Sequence, residues 1–191
     1  YATDEVLLDN TSRDTPTGMG EGWIGPYNDS AHYIKYDISA LAAIDSDRIS
    51  AANVTVKSSD RSELDTQEKN ITETLYSIGT DWNQSSATYN IMEPLCENAE
   101  VAGSDSIEGN YRNKSFTIDV TGALRKAIAA GESKIAFKLK ANNFVLMTRR
   151  YESETYAPLR VSYVDSGFGN VDYSIENGSV GVSIDTDITL G

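Results

Sequence analysis

Apolar and polar residues alternate with a period of two through much of this 191-residue chain. The clearest case is segment 134–140, where three apolar side chains point one way and three lysines the other. Because successive side chains of a strand face opposite sides, the pattern predicts strands with one buried face. The alternation recurs in segments 32–38, 53–57, 115–120 and 159–163, with more evenly apolar runs at 71–79 and 144–148. About ten short strands of this kind predict an all-β, antiparallel β-sandwich or jelly roll.

A single short helix is predicted at about residues 121–131. Thr121 can cap its start, and Gly131 can end it. Between them, Leu124, Ala127 and Ile128 form an apolar stripe with helical spacing. Segments 10–31, 58–70 and 94–114 are polar and are predicted to be loops. The prediction is therefore a jelly-roll domain over residues 1–164, followed by a C-terminal hinge and strand extension over 165–191.

The charge of the chain limits its partners. Acidic residues number 29 against 16 basic ones, which gives a net charge of −13. Nucleic acids and anionic membranes attract positive patches, so neither is predicted as a partner, and the short apolar runs predict no membrane insertion. The single cysteine, Cys96, excludes an internal disulfide and is either a buried thiol or an intermolecular link. A start at Tyr1 without methionine suggests a processed mature chain or a fragment of a longer one.

Asn-x-Ser/Thr triplets are in excess, since about two or three are expected by chance from this composition. Either the polar loop composition inflates their number, or the protein is an extracellular glycoprotein. The candidate glycosylation sites are Asn10, Asn28, Asn53, Asn70, Asn83, Asn113 and Asn177.

Near the middle of the chain, Trp82 and Tyr89 bracket a polar turn, with Thr88 just before the second ring. Four further stretches flank this turn, namely His32–Leu41, Ile49–Val56, Phe116–Thr121 and Pro158–Tyr163. In this order, over about residues 5–163, the five pieces resemble the DNRLRE-domain family. The turn of that family reads approximately W-x-E-x-x-x-T-W-N. Here Gln84 replaces the acid, and Tyr89 replaces the second tryptophan.

The resemblance implies a secreted jelly roll of the carbohydrate-binding type, with alginate-type acidic polysaccharides among its ligands. The resemblance does not identify any ligand-binding residue in this sequence. At the turn, it favours Trp82 and Tyr89 as packed side chains that Thr88 tethers, although amphipathic rings can also stack on sugars. The stretch Met147–Glu152 departs from the S-R-E sequence that usually precedes the last strand of the family.

Two sets of residues are candidates for sugar contact. The first set is aromatic residues in polar segments, which can stack on sugar rings: Trp23, Tyr27 and Tyr111. The second set is the outward row Lys134, Lys138 and Lys140, which can meet an acidic polysaccharide. The alternative for this row is a solvated strand face on which lysines discourage edge pairing.

No cofactor is predicted to be required, although calcium is a candidate because oxygen-rich clusters can bind it. The candidate ligands are Asp4, Asp9, Asp185 and Asp187, none of which belongs to a recognisable calcium loop. The alternative is solvated acids. The only histidine, His32, lies on a predicted strand, and no nucleophile motif accompanies it. The protein is therefore predicted not to be an enzyme.

The C-terminal extension forms an amphipathic strand within residues 171–190. Its apolar face consists of Val180, Val182, Ile184, Ile188 and Leu190. This strand can fold back onto its own sheet, begin a next domain, or complete a sheet in another copy of the chain. A head-to-tail contact of the last kind does not close on itself and builds filaments or sheets.

The favoured hypothesis is a non-enzymatic extracellular structural subunit of a sheath, surface layer or filament that self-associates through this strand. One alternative is a carbohydrate-binding module that recognises an acidic polysaccharide. A second alternative is an adhesin-type module.

Overall fold

The computed structural model describes residues 2–11, 13–14, 22–59, 70–143, 145–147, 157–165, 169–176 and 179–184. The first strands are β1 (Asp4–Leu8), β2 (Gly22–Ile24), β3 (Ala31–Asp37), β4 (Ile49–Lys57), β5 (Ile71–Ile78) and β6 (Glu100–Ile107). The later strands are β7 (Ser115–Asp119), β8 (Lys134–Ala141), β9 (Val145–Met147), β10 (Leu159–Asp165), β11 (Gly169–Glu176) and β12 (Ser179–Ile184). The α-helices are α1 (Tyr89–Leu95) and α2 (Thr121–Ala129).

Ten of these strands form two five-stranded sheets. The first sheet has the order β1-β3-β8-β5-β6, and the second has the order β12-β11-β10-β4-β7. Every neighbouring pair is antiparallel. Strands β2 and β9 form a separate two-stranded ribbon. The predicted all-β sandwich is therefore confirmed.

The main core lies between the two sheets. Because side chains alternate along each strand, β4 from Ala52 onwards and β7 bury every second residue. Tyr36 packs edge-on against Phe137, with their ring centroids 6.2 Å apart, and donates its hydroxyl proton to the carbonyl oxygen of Ala157 at 2.6 Å. Other buried members of this core include Ile34, Ile71, Leu75, Val54, Val56, Phe116, Ile118, Leu139, Leu159 and Val161.

The helix predicted at about 121–131 is present as α2, and its end is as expected. Gly131 follows it with a φ of 74°, a left-handed conformation that glycine adopts without strain. Its start differs in detail, because Val120 and not Thr121 occupies the capping position. A carboxylate oxygen of Asp119 instead accepts hydrogen bonds from the backbone N–H and the hydroxyl of Thr121.

The loop predicted over 94–114 is wrong in its middle, where β6 lies at one edge of the first sheet. This strand has few apolar residues, since an edge strand contributes little to the core. The helix α1 is also unpredicted. It begins after Thr88, whose hydroxyl accepts a hydrogen bond from the N–H of Ile91, and it contains Pro94.

The C-terminal extension joins the second sheet. Strand β11 pairs with β10 in register from Leu159 with Ile175 to Asp165 with Gly169. Strand β12 then returns along β11 and pairs Val180 with Ile175 and Val182 with Tyr173. Within the described residues, β12 thus pairs with its own chain, which is one of the arrangements that the sequence allows. Ile188 and Leu190 lie outside the described residues.

A second, smaller apolar cluster covers part of the outer face of the first sheet. It forms where the turn before α1, and α1 itself, pack on β1, β3 and β8. Its members are Val6, Leu8, Ala31, Tyr33, Trp82, Ala87, Met92 and Ala136. The first sheet is therefore buried on both faces at one side, and its outer face is open towards β5 and β6.

Candidate functional site

The open part of the outer face of the first sheet carries a row of polar side chains across three strands. Lys138 on β8 lies opposite Tyr76 on β5, and Lys140 lies opposite Thr74. In the next strand, Ser104 lies opposite Thr74. Two positions along the same two strands, the hydroxyls of Thr72 and Ser106 are 2.8 Å apart. We call this surface, consisting of Thr72, Thr74, Tyr76, Ser104, Ser106, Lys138 and Lys140, the polar face.

Asp29 approaches the polar face from the turn that precedes β3. One of its carboxylate oxygens accepts a hydrogen bond from the ammonium group of Lys138 at 3.1 Å, and the other accepts one from Lys140. The hydroxyl of Tyr89 on α1 donates to the first oxygen at 3.0 Å. Two ammonium groups and one carboxylate leave a local charge of +1, in a chain whose net charge is −13.

Protonation in this cluster follows from its contacts. Burial raises the pKa of Asp29, but hydrogen bonds from Lys140 and Lys138 and their positive charge outweigh it, so the pKa lies below its usual range. Burial, followed by the hydrogen bond to Asp29, raises the pKa of Tyr89 to about 12. Asp29 is therefore a carboxylate, and Tyr89 a proton donor, across the physiological pH range.

Lys138 contacts a buried aromatic ring, Tyr33, and a further cation, Arg13, lies beside Tyr89. The ammonium group of Lys138 lies 5.6 Å from the centre of the Tyr33 ring, within cation–π range. Arg13 stacks over the ring of Tyr89 at 5.1 Å and forms an ion pair with Glu93 at 3.3 Å. Cys96 is half-buried beside these groups, and burial raises the pKa of its thiol.

One of the predicted sugar contacts, Tyr111, needs correction, and the surroundings of the lysine row differ from a plain solvated strand face. Tyr111 is only 1% exposed and belongs to the main core, so its ring is not available to a ligand.

The lysine row is not a uniformly solvated face, because Asp29 and the second apolar cluster cover part of it. The side chains of Lys138 and Lys140 are 12% and 33% exposed, whereas Lys134 at the strand end is exposed. The side chains of Trp23 and Tyr27 lie outside the described residues.

The side chain of Trp82 is buried, and the charged groups beside it belong to neighbouring strands. The ammonium group of Lys35 lies 4.8 Å from the centre of the Trp82 ring and donates a hydrogen bond to the Trp82 carbonyl oxygen. Asp4 forms an ion pair with the same ammonium group at 2.9 Å and accepts the N–H of Gln84. These contacts place Trp82 beneath the turn, away from solvent.

A cleft of about 880 Å³ opens elsewhere, between α2, the first residues of β6 and the chain that leaves β5. Its apolar walls include Leu95, Ala123, Ala127 and Ile135, and the ion pair between Lys126 and Glu100 lies at its rim. Its described lining contains no aromatic residue. Since sugar rings stack on aromatic faces, the polar face with Tyr76 is the better candidate for a carbohydrate.

The predicted calcium ligands do not converge in the described part of the chain. Asp4 is engaged by Lys35, and Asp9 accepts the N–H and hydroxyl of Thr11. Asp185 and Asp187 lie outside the described residues. Across the ranges that the structure describes, no three His, Cys, Asp or Glu side chains meet as a metal site would require.

His32 lies on the inner face of the first sheet, and its ring nitrogen Nε2 is 2.7 Å from a carboxylate oxygen of Glu5. Both side chains are buried, so the pair is enclosed in the protein. In the described part of the chain, neither α-helix has the length and apolar character of a membrane span.

Most of the described glycosylation candidates are accessible. Asn10, Asn28, Asn70, Asn83 and Asn113 are exposed. Asn53 lies within β4, paired on both sides, and is only partly exposed. Asn177 lies outside the described residues.

Sequence reasoning identified Lys138 and Lys140 but missed Asp29, Tyr76 and Arg13. Asp29 follows Asn28 in a loop segment, and no local pattern shows that its carboxylate meets β8. Tyr76 falls in a continuously apolar or mixed run, in which the outward-facing positions are not apparent. The signal that marks Tyr76 is its register opposite Lys138, which requires the order of strands in the sheet.

The comparisons with known proteins give one family. The model described as carbohydrate-binding module family 96 matches residues 14–158 of the 191. This range contains α1, α2, the polar face and Asp29. No curated protein matches the chain.

Proposed function

Because the chain belongs to carbohydrate-binding module family 96, we propose that it binds an acidic polysaccharide on the polar face of its first sheet. Modules of this kind bind sugars and carry no catalytic centre of their own. The protein is accordingly a non-catalytic binding module, and its place of action is outside the cell, where such polysaccharides occur. The DNRLRE resemblance supports the same class of ligand.

The observation that carries this proposal is the pair of lysines on the open sheet, within a strongly acidic chain. Two ammonium groups at alternate positions of β8 point to the same side, and each can donate to a carboxylate or sulfate group. The hydroxyls of Thr72, Thr74, Ser104 and Ser106 lie on the same side and can exchange hydrogen bonds with sugar hydroxyls. Tyr76 adds a partly exposed aromatic ring.

Replacement of both lysines tests the site. We expect Lys138→Ala together with Lys140→Ala to weaken binding to alginate or another polyuronate by roughly tenfold or more, because charge-assisted hydrogen bonds are lost. The measurement is retention in affinity gels that contain the polysaccharide, with isothermal titration for the dissociation constant. Binding by the wild type should also weaken as salt increases.

Lys57→Ala is the matched control, because Lys57 is exposed at the end of β4 in the other sheet. It removes the same charge and should leave retention unchanged. Circular dichroism melts establish that each variant is folded. Equal retention of the double variant and the wild type contradicts the site, and absence of wild-type binding to every acidic polysaccharide contradicts the function.

The structural-subunit hypothesis receives no support from the family match and stays a prediction. So do self-association through residues 171–190, the adhesin-type alternative and glycosylation. Particle size by gel filtration or electron microscopy, with and without residues 171–191, tests the structural-subunit hypothesis and self-association through this segment. A truncated chain that still assembles contradicts strand donation.

A further inference from the structure

The turn that carries Asp29 has an unfavourable backbone conformation. Asn28 and Asp29 both have positive φ angles, 54° and 48°, in the left-handed region. Such conformations are uncommon outside glycine, and asparagine and aspartate tolerate them best. Two in succession hold the Asp29 carboxylate over the polar face, where it is 29% exposed. Strain of this kind persists where surrounding contacts require it, and it concentrates at functional positions.

The contacts of Asp29 are those that an anionic ligand would make. A carboxylate has two oxygens, and in Asp29 one faces Lys138 and Tyr89 while the other faces Lys140. All three donors therefore already have an acceptor within the protein. An incoming uronate or sulfate group has to displace this carboxylate, or bind at the exposed side of the lysines and share them with it.

We infer that Asp29 is a specificity-determining residue, an internal carboxylate that competes with the ligand for Lys138 and Lys140. This inference rests on the proposed function. A single carboxylate gains little by replacing Asp29, since it exchanges one ion pair for an equivalent one. A polyanion gains more, because adjacent acidic groups in one chain can reach the lysines and Arg13 together. The arrangement thus selects closely spaced acidic groups over isolated ones and over neutral sugars.

The alternative role for Asp29 is orientation, in which it holds the two ammonium groups in place and the ligand binds beside it. The two roles predict opposite effects when its charge is removed. Competition predicts tighter binding of the anion, because the lysines become free and the local charge rises from +1 to +2. Orientation predicts weaker binding, because the lysines lose their fixed positions.

Asp29→Asn is the test, since asparagine keeps the size of the side chain, tolerates the left-handed backbone and can still accept the Tyr89 hydroxyl. We expect its dissociation constant for a polyuronate to fall about tenfold, which corresponds to about 1.4 kcal/mol. Binding of a monomeric uronate should tighten by a larger factor than that of the polymer. Affinity for a neutral polysaccharide should not change.

Asp81→Asn is the matched control, because Asp81 is exposed and no described ion pair joins it to these lysines. It changes the net charge by the same amount and should leave the dissociation constant as in the wild type. A second measurement needs no ligand: Asp29→Asn should raise the rate at which acetic anhydride modifies Lys138 and Lys140, read by mass spectrometry against exposed Lys57.

The outcomes separate the inference from the proposed function. If the wild type binds and Asp29→Asn binds equally or more weakly, the competition is wrong and the function stands. If Asp29→Asn binds and the wild type does not, the competition stands and the function of the wild type as a binder is wrong. If neither binds any polyanion, both are wrong. Unchanged lysine reactivity in Asp29→Asn also contradicts the competition.

Discussion

Substitution of Gly103 by alanine is expected to lower the free energy of unfolding by about 3 kcal/mol. Gly103 lies on β6, at the edge where the first sheet meets β7 of the second. A Cβ atom there would lie 1.9 Å from the carbonyl oxygen of Asp119 and 3.1 Å from a side-chain methyl of Ile118. Since the nearest atom belongs to the backbone, the two strands have to separate. Any side chain at position 103 is thus excluded by the close contact between β6 and β7.

The same edge is held by a hydrogen bond, in which the N–H of Thr117 on β7 donates to a carboxylate oxygen of Asp105 on β6 at 2.7 Å. Separation of the strands would lengthen this hydrogen bond.

The measurement for Gly103→Ala is urea denaturation, where the midpoint should fall with little change in slope. Gly122→Ala is the control, because no heavy atom lies within 4 Å of its added Cβ and it sits in α2. Alanine there should be neutral or stabilising by up to about 1 kcal/mol. Equal effects of the two substitutions would contradict the steric argument.

Substitution of Glu73 by glutamine is expected to stabilise the protein at neutral pH, by at least about 1 kcal/mol. Glu73 is fully buried on the inner face of β5, between Ile71 and Leu75. Among the described residues, neither of its carboxyl oxygens has a hydrogen-bond partner. Its cross-strand neighbour is Asp105, another acid, and like charges directly opposite each other are unfavourable. Glutamine keeps the shape and removes the charge.

The direction of the pH dependence follows from the pKa. Burial, followed by the negative charge of Asp105, raises the pKa of Glu73 well above its usual range in the folded protein. The folded state therefore binds this proton more tightly than the unfolded state. The contribution of Glu73 to stability is most favourable below the unfolded pKa, about 4.3 for glutamate, and is lost as pH rises from there through the folded pKa.

Thermal melts of wild type and Glu73→Gln between pH 4 and pH 8 check this prediction. The two proteins should be similar at pH 4, and the variant should become progressively more stable than the wild type as pH increases. The difference between the two proteins isolates the effect of Glu73 from that of the other titrating groups, which both proteins share. Glu132→Gln, at an exposed carboxylate, should not reproduce the effect. A constant difference at all pH values would mean that folding does not shift the pKa of Glu73, which contradicts the prediction.

The parts of the fold that the sequence predicted are those with a strong local period. Strand β8 has alternating apolar and polar residues, and helix α2 has an apolar stripe with helical spacing, because one side of each faces the core. Both elements were found close to their predicted bounds. Strand β6 was missed because it lies at an edge and its inward positions are Gly103 and Asp105. Neither residue is apolar, yet each is required where β6 meets β7.

The candidate site was predicted only in part, for a similar reason. An outward row of lysines is visible in the sequence, but its environment is not. Lys138 and Asp29 are 109 residues apart in the chain, and the contact between them depends on the order of β3 and β8 in the sheet. Burial of Tyr111 likewise depends on a loop that packs against the core, although its polar neighbours suggested exposure.

The sequence by itself determined the class of fold, because side-chain alternation is written along the chain, and the order of its short motifs indicated a module of the carbohydrate-binding type. Only the tertiary structure decided which polar residues meet. It placed one carboxylate between two lysines, a buried glutamate opposite another acid and a glycine where two sheets touch. Those contacts join residues from distant strands, and their energies depend on burial and distance, which no local pattern encodes.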